Sequence, residues 1–86
     1  MRISIQLYGA FRQFQEEGKL DLDCPGATTI GDVRAAMDVY GLSHWRGYTS
    51  GLMRTSAFAT ETELLRASSP IPTDGRLAII PPVCGG

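Results

Sequence analysis

Leu77-Ala78-Ile79-Ile80-Pro81-Pro82-Val83-Cys84-Gly85-Gly86 closes the sequence and decides how the rest is read. The unbroken apolar run Leu77–Ile80 predicts a strand buried on both faces. Pro81 and Pro82 lack N–H groups and have fixed φ, so ladder pairing is expected to stop there while the chain continues stiff and extended. Gly85 and Gly86 carry no Cβ. Such an end fits a channel too narrow for other residues and leaves its last carboxylate sterically open. A carboxylate is a poor electrophile, so a displayed one implies that another protein must activate it.

Working outward, 86 residues give room for one core and not two. At 43% hydrophobic and 20% charged residues, the composition is that of a globular chain and not a disordered one. The formal charge is −1, and the basic residues are scattered, with Lys19 the single lysine. That distribution argues against a nucleic-acid footprint, which needs a basic cluster. The longest apolar stretch is far shorter than a membrane span. The N-terminus alternates where a signal peptide would be continuously apolar, so the expected location is the cytoplasm. Cys24 and Cys84 make no disulfide framework and no C-x-x-C pair, and reduced thiols are expected. One histidine and two distant cysteines cannot build a metal site.

Arg2–Leu7 alternates strictly, with Ile3, Ile5 and Leu7 on one face of a half-buried strand. Phe11-Arg12-Gln13-Phe14 suits a helical turn with both aromatics inward, and Glu16-Glu17-Gly18 a turn. Lys19–Cys24 alternates again, predicting an antiparallel partner for the first strand. Pro25-Gly26 ends it. Thr29 then reads as a helix N-cap answered by Asp32, and Ile30, Val33, Met37 and Tyr40 recur at helical spacing. Gly41 is placed just past the helix end. Residues 42–51 read as a loop with one more helical turn, Leu52–Thr60 as a strand, and Thr62–Arg66 as a short strand. Asp74-Gly75 supplies the turn into the closing strand.

One helix laid across one face of a mixed sheet buries these apolar faces most economically. The first and last strands are the most apolar, so they are expected side by side and parallel at the centre. This is an α+β arrangement: a β-grasp, or ubiquitin-like, fold with about five strands and one main helix. The expected division is a β-grasp domain over residues 1–82 and a flexible C-terminal tail over 83–86.

The Arg2–Leu7 strand, the Thr29–Tyr40 helix, the Pro72-Thr73-Asp74-Gly75 turn and the ending Pro81-Pro82-Val83-Cys84-Gly85-Gly86 together resemble the MoaD/ThiS-type sulfur carriers. The nearer match is the small subunit of molybdopterin synthase; the thiamine-pathway carrier is typically shorter and lacks the double proline. The resemblance spans nearly the whole chain, and its specificity lies in the last six residues and the Asp74-Gly75 turn. It implies that a ubiquitin-activating-type enzyme uses ATP and magnesium to adenylate Gly86. A sulfur donor then displaces AMP to leave a thiocarboxylate. The tail, Pro81, Pro82, Val83, Cys84 and Gly85, enters a synthase large subunit, which performs the catalysis; the carrier is no enzyme and binds no stable cofactor. Val83–Gly86 spans roughly 13 Å at about 3.3 Å per residue, enough to enter a partner's site. The sequence departs from that carrier at Arg76, where an acidic residue is usual, at Thr60-Glu61-Thr62, and over Gly47–Thr55. A thiazole-pathway carrier, a ubiquitin-like modifier that forms an isopeptide through Gly86, and a plain interaction domain are the other readings.

Trp45, Arg54 and Arg76 are the candidate partner-interface residues. Trp45 serves equally as a core residue, while Phe58 reads as core. Arg66 is a further surface arginine. His44 has no acid or thiol spaced to complete a catalytic triad. Cys84 reads as a small tolerated side chain, since nothing on the tail would lower its pKa.

Overall fold

The computed structural model describes residues 2–82. The expectations placed on Val83, Cys84, Gly85 and Gly86 therefore lie outside the described residues. Strand β1 (Arg2–Leu7) is followed by a 3-10 helix (Gly9–Phe14), β2 (Lys19–Asp23), helix α1 (Ile30–His44), helix α2 (Ser50–Thr55), β3 (Ala57–Ala59), β4 (Leu64–Leu65) and β5 (Arg76–Ile80). They form one five-stranded sheet in the order β2-β1-β5-β3-β4. β1 and β5 are parallel neighbours, Ser4 beside Arg76 through Leu7 beside Ile79, as the apolar content of both strands predicts. β2 pairs antiparallel with β1, and β3 antiparallel with β5.

The period-2 pattern places Ile3, Ile5, Leu7, Leu20, Leu22, Phe58, Leu77 and Ile79 on one face, where they meet Ile30, Val33 and Met37 of α1. α1 starts where expected. Thr29 Oγ1 accepts from Asp32 N at 3.3 Å, while Asp32 Oδ2 accepts from Thr29 N at 3.1 Å, which is a reciprocal capping box. Two more first-turn donors reach the 66–71 loop: Ile30 N donates to Ser69 O at 2.9 Å and Gly31 N to Ala67 O at 2.8 Å. The helix N-terminus is thus closed by a strand-to-strand loop.

Three expectations are corrected. The helix does not stop before Gly41 but runs to His44, because Gly41 is needed for space and not for a left-handed turn. A Cβ there would stand 2.9 Å from the Tyr48 ring and 3.0 Å from Trp45. Leu52–Thr60 is not one strand; its first part is α2, which buries Met53, and only Ala57–Ala59 joins the sheet. Arg34 decides this locally, donating from Nη1 to Met53 O at 2.5 Å and to Ser56 O at 3.0 Å, so it holds the carbonyls at the end of α2. Third, β5 is covered on one side alone: Leu77 and Ile79 are buried, whereas Ile80 is 38% exposed on the other face.

Candidate functional site

The site is the place where β5 leaves the sheet. Its entry is fixed by the Asp74-Gly75 turn. Gly75 takes φ +67°, its N–H donates to Pro72 O at 3.0 Å, and Asp74 Oδ1 accepts from Arg76 N at 3.0 Å. Gly75 O then accepts from Ser4 N at 2.8 Å, which locks the register of β5 against β1. With β1 on one side and β3 on the other, β5 is a central strand with its backbone paired on both edges.

The exit depends on a second glycine. Gly9 takes φ +56°, and a Cβ on it would lie 2.5 Å from Pro81 Cγ. Only glycine fits both the left-handed backbone and that close approach. Pro81 is half-buried there and Pro82 is exposed. The double proline thus ends the ladder, as expected, and its first ring is seated on the start of the 3-10 helix.

Among the described residues, nothing covers the sheet face turned away from α1 around this exit. Register sets Lys19, Gln6, Ala78, Ala59 and Leu64 in one row across all five strands. Ile80 and Ala57 are opposite one another on the same face. Small side chains at Ala78, Ala59 and Ser4 leave a shallow hollow rimmed by Tyr8, Gln6, Thr60, Glu61 and Arg76. Leu64 is 69% exposed and Tyr8 50% exposed, so large apolar surface stands at both ends of the hollow. This face thus joins a floor of small side chains to a largely polar rim, with exposed Leu64 and Tyr8 beside it.

The predicted interface residues separate. Arg76 is exposed on this open face. Arg54 is exposed at the end of α2, beside a different hollow lined by Arg34, Asp38 and Ser50. Trp45 is corrected: it is 6% exposed, stacked on Phe14 at 4.9 Å and 7°, and donates from Nε1 to Gln15 Oε1 at 3.0 Å. Its ring is a core anchor with its one donor satisfied, and it presents no surface to a partner. Phe58 is buried, as read. Arg66 is exposed in the loop after β4.

The remaining chemical groups make local contacts. His44 is exposed, stacks on Tyr40 at 4.1 Å, and has Nδ1 3.0 Å from Tyr40 O, so Nδ1 carries the proton donated there. Cys24 is buried, and burial pushes its thiol pKa up, away from the reactive thiolate. Asp38 accepts from Tyr48 Oη at 2.6 Å and from Ser50 Oγ at 3.1 Å, tying α1 to α2. Among the described residues, no three His, Cys, Asp or Glu side chains gather to hold a metal ion, and no helix is long and apolar enough to cross a membrane. Sequence reasoning missed the open-face row. Its signal was present in Ala57, Ala59 and Ala78, small residues at strand positions facing away from the core.

A mixed five-stranded sheet with parallel central strands and one long helix across a single face defines a ubiquitin-like β-grasp protein. The chain is similar to SAMP1 from Haloferax volcanii, whose crystal structure superposes with a TM-score of 0.67 at 20% sequence identity and 100% coverage of both chains. At that identity the likeness concerns the fold. No protein-family model and no curated protein matches the sequence.

Proposed function

We propose that the chain is a protein-borne sulfur carrier. A ubiquitin-activating-type enzyme adenylates the Gly86 carboxylate with ATP and magnesium, and a sulfur donor converts it to a thiocarboxylate. A synthase large subunit of the molybdopterin type then takes up the tail, Pro81 to Gly86, and uses the sulfur. The observation that supports this reading is the exit itself: a central strand, braced on both edges, ends at a proline seated on Gly9, beside an uncovered sheet face. A rigid launch point of this kind lets the body be held outside a partner while four further residues reach inside it.

The chain's own contribution is presentation. The open face around Ala78, Ala59, Leu64 and Ile80 supplies the docking surface, and Arg76 supplies a charge on its rim. Intact-mass measurement after incubation with an adenylating enzyme, ATP–magnesium and a sulfur donor tests the reading. Exchange of one terminal oxygen for sulfur is expected. A ladder of protein conjugates would instead favour a modifier, and an unchanged mass would favour an interaction domain.

A further inference from the structure

Helix α1 carries apolar side chains on two faces, and the fold uses only one of them. Ile30, Val33 and Met37 enter the core. On the other side Ala35, Val39 and Leu42 follow one another at i, i+4 and i+7. All three are exposed, Val39 at 65% and Leu42 at 59%. A helix lying on a sheet normally turns a charged stripe outward. Here the stripe is apolar and the charges stand at its ends, with Asp32 in the first turn and Arg46 just past the last. Ser43 beside it donates Oγ to Val39 O at 3.0 Å, so its hydroxyl is already satisfied within the helix.

The stripe is its own complement. Val39 is seven residues from Asp32 and seven from Arg46, which is about 10 Å each way at about 1.5 Å per residue. Two copies laid antiparallel about Val39 bring the Asp32 carboxylate of each to the level of the other's Arg46 guanidinium. Small Ala35 of each then meets large Leu42 of the other. A parallel pair would instead set Asp32 against Asp32 and Arg46 against Arg46, and it would align the two helix dipoles. Shallow hollows flank the stripe, and Ala35 lines both. Pro25, Ala27 and Ala36 line one and Arg34, Ser50 and Arg54 the other, which gives the second copy's ridge a groove to enter. A formal charge of −1 leaves little net repulsion between copies.

We propose that the outer face of α1 is an interaction surface whose partner is a second copy of the chain, docked antiparallel about Val39. Exposed ion pairs add little strength, so Asp32 and Arg46 set the direction while Val39 and Leu42 supply the attraction. Three apolar side chains per copy are fewer than a permanent interface uses, and the dimer is accordingly reversible. Because α1 and the open face lie on opposite sides of the sheet, pairing through α1 turns both open faces outward. Self-association is therefore independent of what happens at Gly86.

Sedimentation equilibrium of the full chain from about 10 μM to about 1 mM tests this. The wild-type mass is expected to rise from one chain toward two. Val39→Asp sets a charge in the middle of the contact, and Arg46→Glu sets one against the other copy's Asp32. Each substitution acts twice in a two-fold dimer, and each is expected to raise Kd at least about tenfold. Val39 and Arg46 are exposed, so both variants keep the fold, which the denaturant midpoint checks. Ala78→Arg, on the far side of the sheet, is expected to dimerise as the wild type does. A wild type that stays a single chain throughout overturns the proposal. So does a dimer that survives Val39→Asp, or one that Ala78→Arg alone dissolves, which would put the contact on the sheet. Loss with Val39→Asp but not with Arg46→Glu overturns the antiparallel arrangement.

Discussion

At the scale of single residues, the most informative position is Gly41. Alanine in the middle of a helix is favoured over glycine by about 1 kcal/mol. Here the added Cβ would press on the Tyr48 ring at 2.9 Å and on Trp45 at 3.0 Å, two rings fixed in the core. Overpacking of this kind costs about 1–3 kcal/mol and outweighs the propensity gain. Gly41→Ala is therefore expected to lower the urea midpoint, and a rise in midpoint would show that the rings yield freely. Asp32 makes the opposite kind of case, legible in advance from Thr29 three residues earlier. Its carboxylate accepts N–H bonds from Thr28 and Thr29, and those bonds hold its pKa below the usual value. The folded form thus favours the charged carboxylate. Its stabilising effect is present above the unfolded pKa near 4 and is lost as pH falls through the lower folded value. Asp32→Asn is expected to flatten the acid limb of the stability curve below about pH 5, measured by denaturation at a series of pH values. Gly41 gave no such signal, since a glycine used for space and one used for a left-handed turn look alike until Tyr48 is seen to fold back.

At the scale of elements, α2 is the one the sequence misassigned, and Arg34 explains why. Leu52-Met53 followed by Thr55 has the apolar and β-branched character of a strand, and Gly51 is a poor helix former. A side chain nineteen positions upstream of Met53 settles the matter by taking two carbonyls from the end of the turn. The same guanidinium lies 5.2 Å from the Phe58 ring centroid, so it also joins α2 to the first residues of β3. Local propensity cannot report a partner that distant, whereas β1, β2 and α1 were readable because each carries its own period, and β5 because its apolar run is unbroken. Arg34→Ala leaves both carbonyls without their charged donor, for which the loss is about 2–3 kcal/mol. Arg34→Lys keeps the charge but loses the planar guanidinium, from which Nη1 alone reaches both carbonyls, and is expected to fall between wild type and alanine in denaturant midpoint. Equal midpoints for all three chains would show that α2 holds itself.

At the scale of the molecule, the sheet has one face sealed by α1 and one uncovered, and these two sides make different offers to a partner. Face parity was implicit in the alternating strands, but the row Lys19, Gln6, Ala78, Ala59, Leu64 became visible only when register set five separate strands side by side. The outer face of α1 is the competing surface, since Val39 is 65% exposed and Leu42 59% exposed. Two substitutions separate them. Ala78→Arg raises a long cation from the middle of the hollow without touching the buried side of β5, where Leu77 and Ile79 pack. Val39→Asp puts a charge on the helix surface instead. If the adenylating enzyme grips the chain beside its exit, Ala78→Arg should raise KM for the chain at least about tenfold, as loss of a central interface position does. Its unfolding free energy should stay within about 1 kcal/mol of wild type, because an outward-facing change of this kind leaves the core alone. Val39→Asp should leave KM where it is. The reverse pattern, with the helix variant impaired and the sheet variant normal, would move the docking surface to α1 and separate recognition of the body from presentation of the terminus.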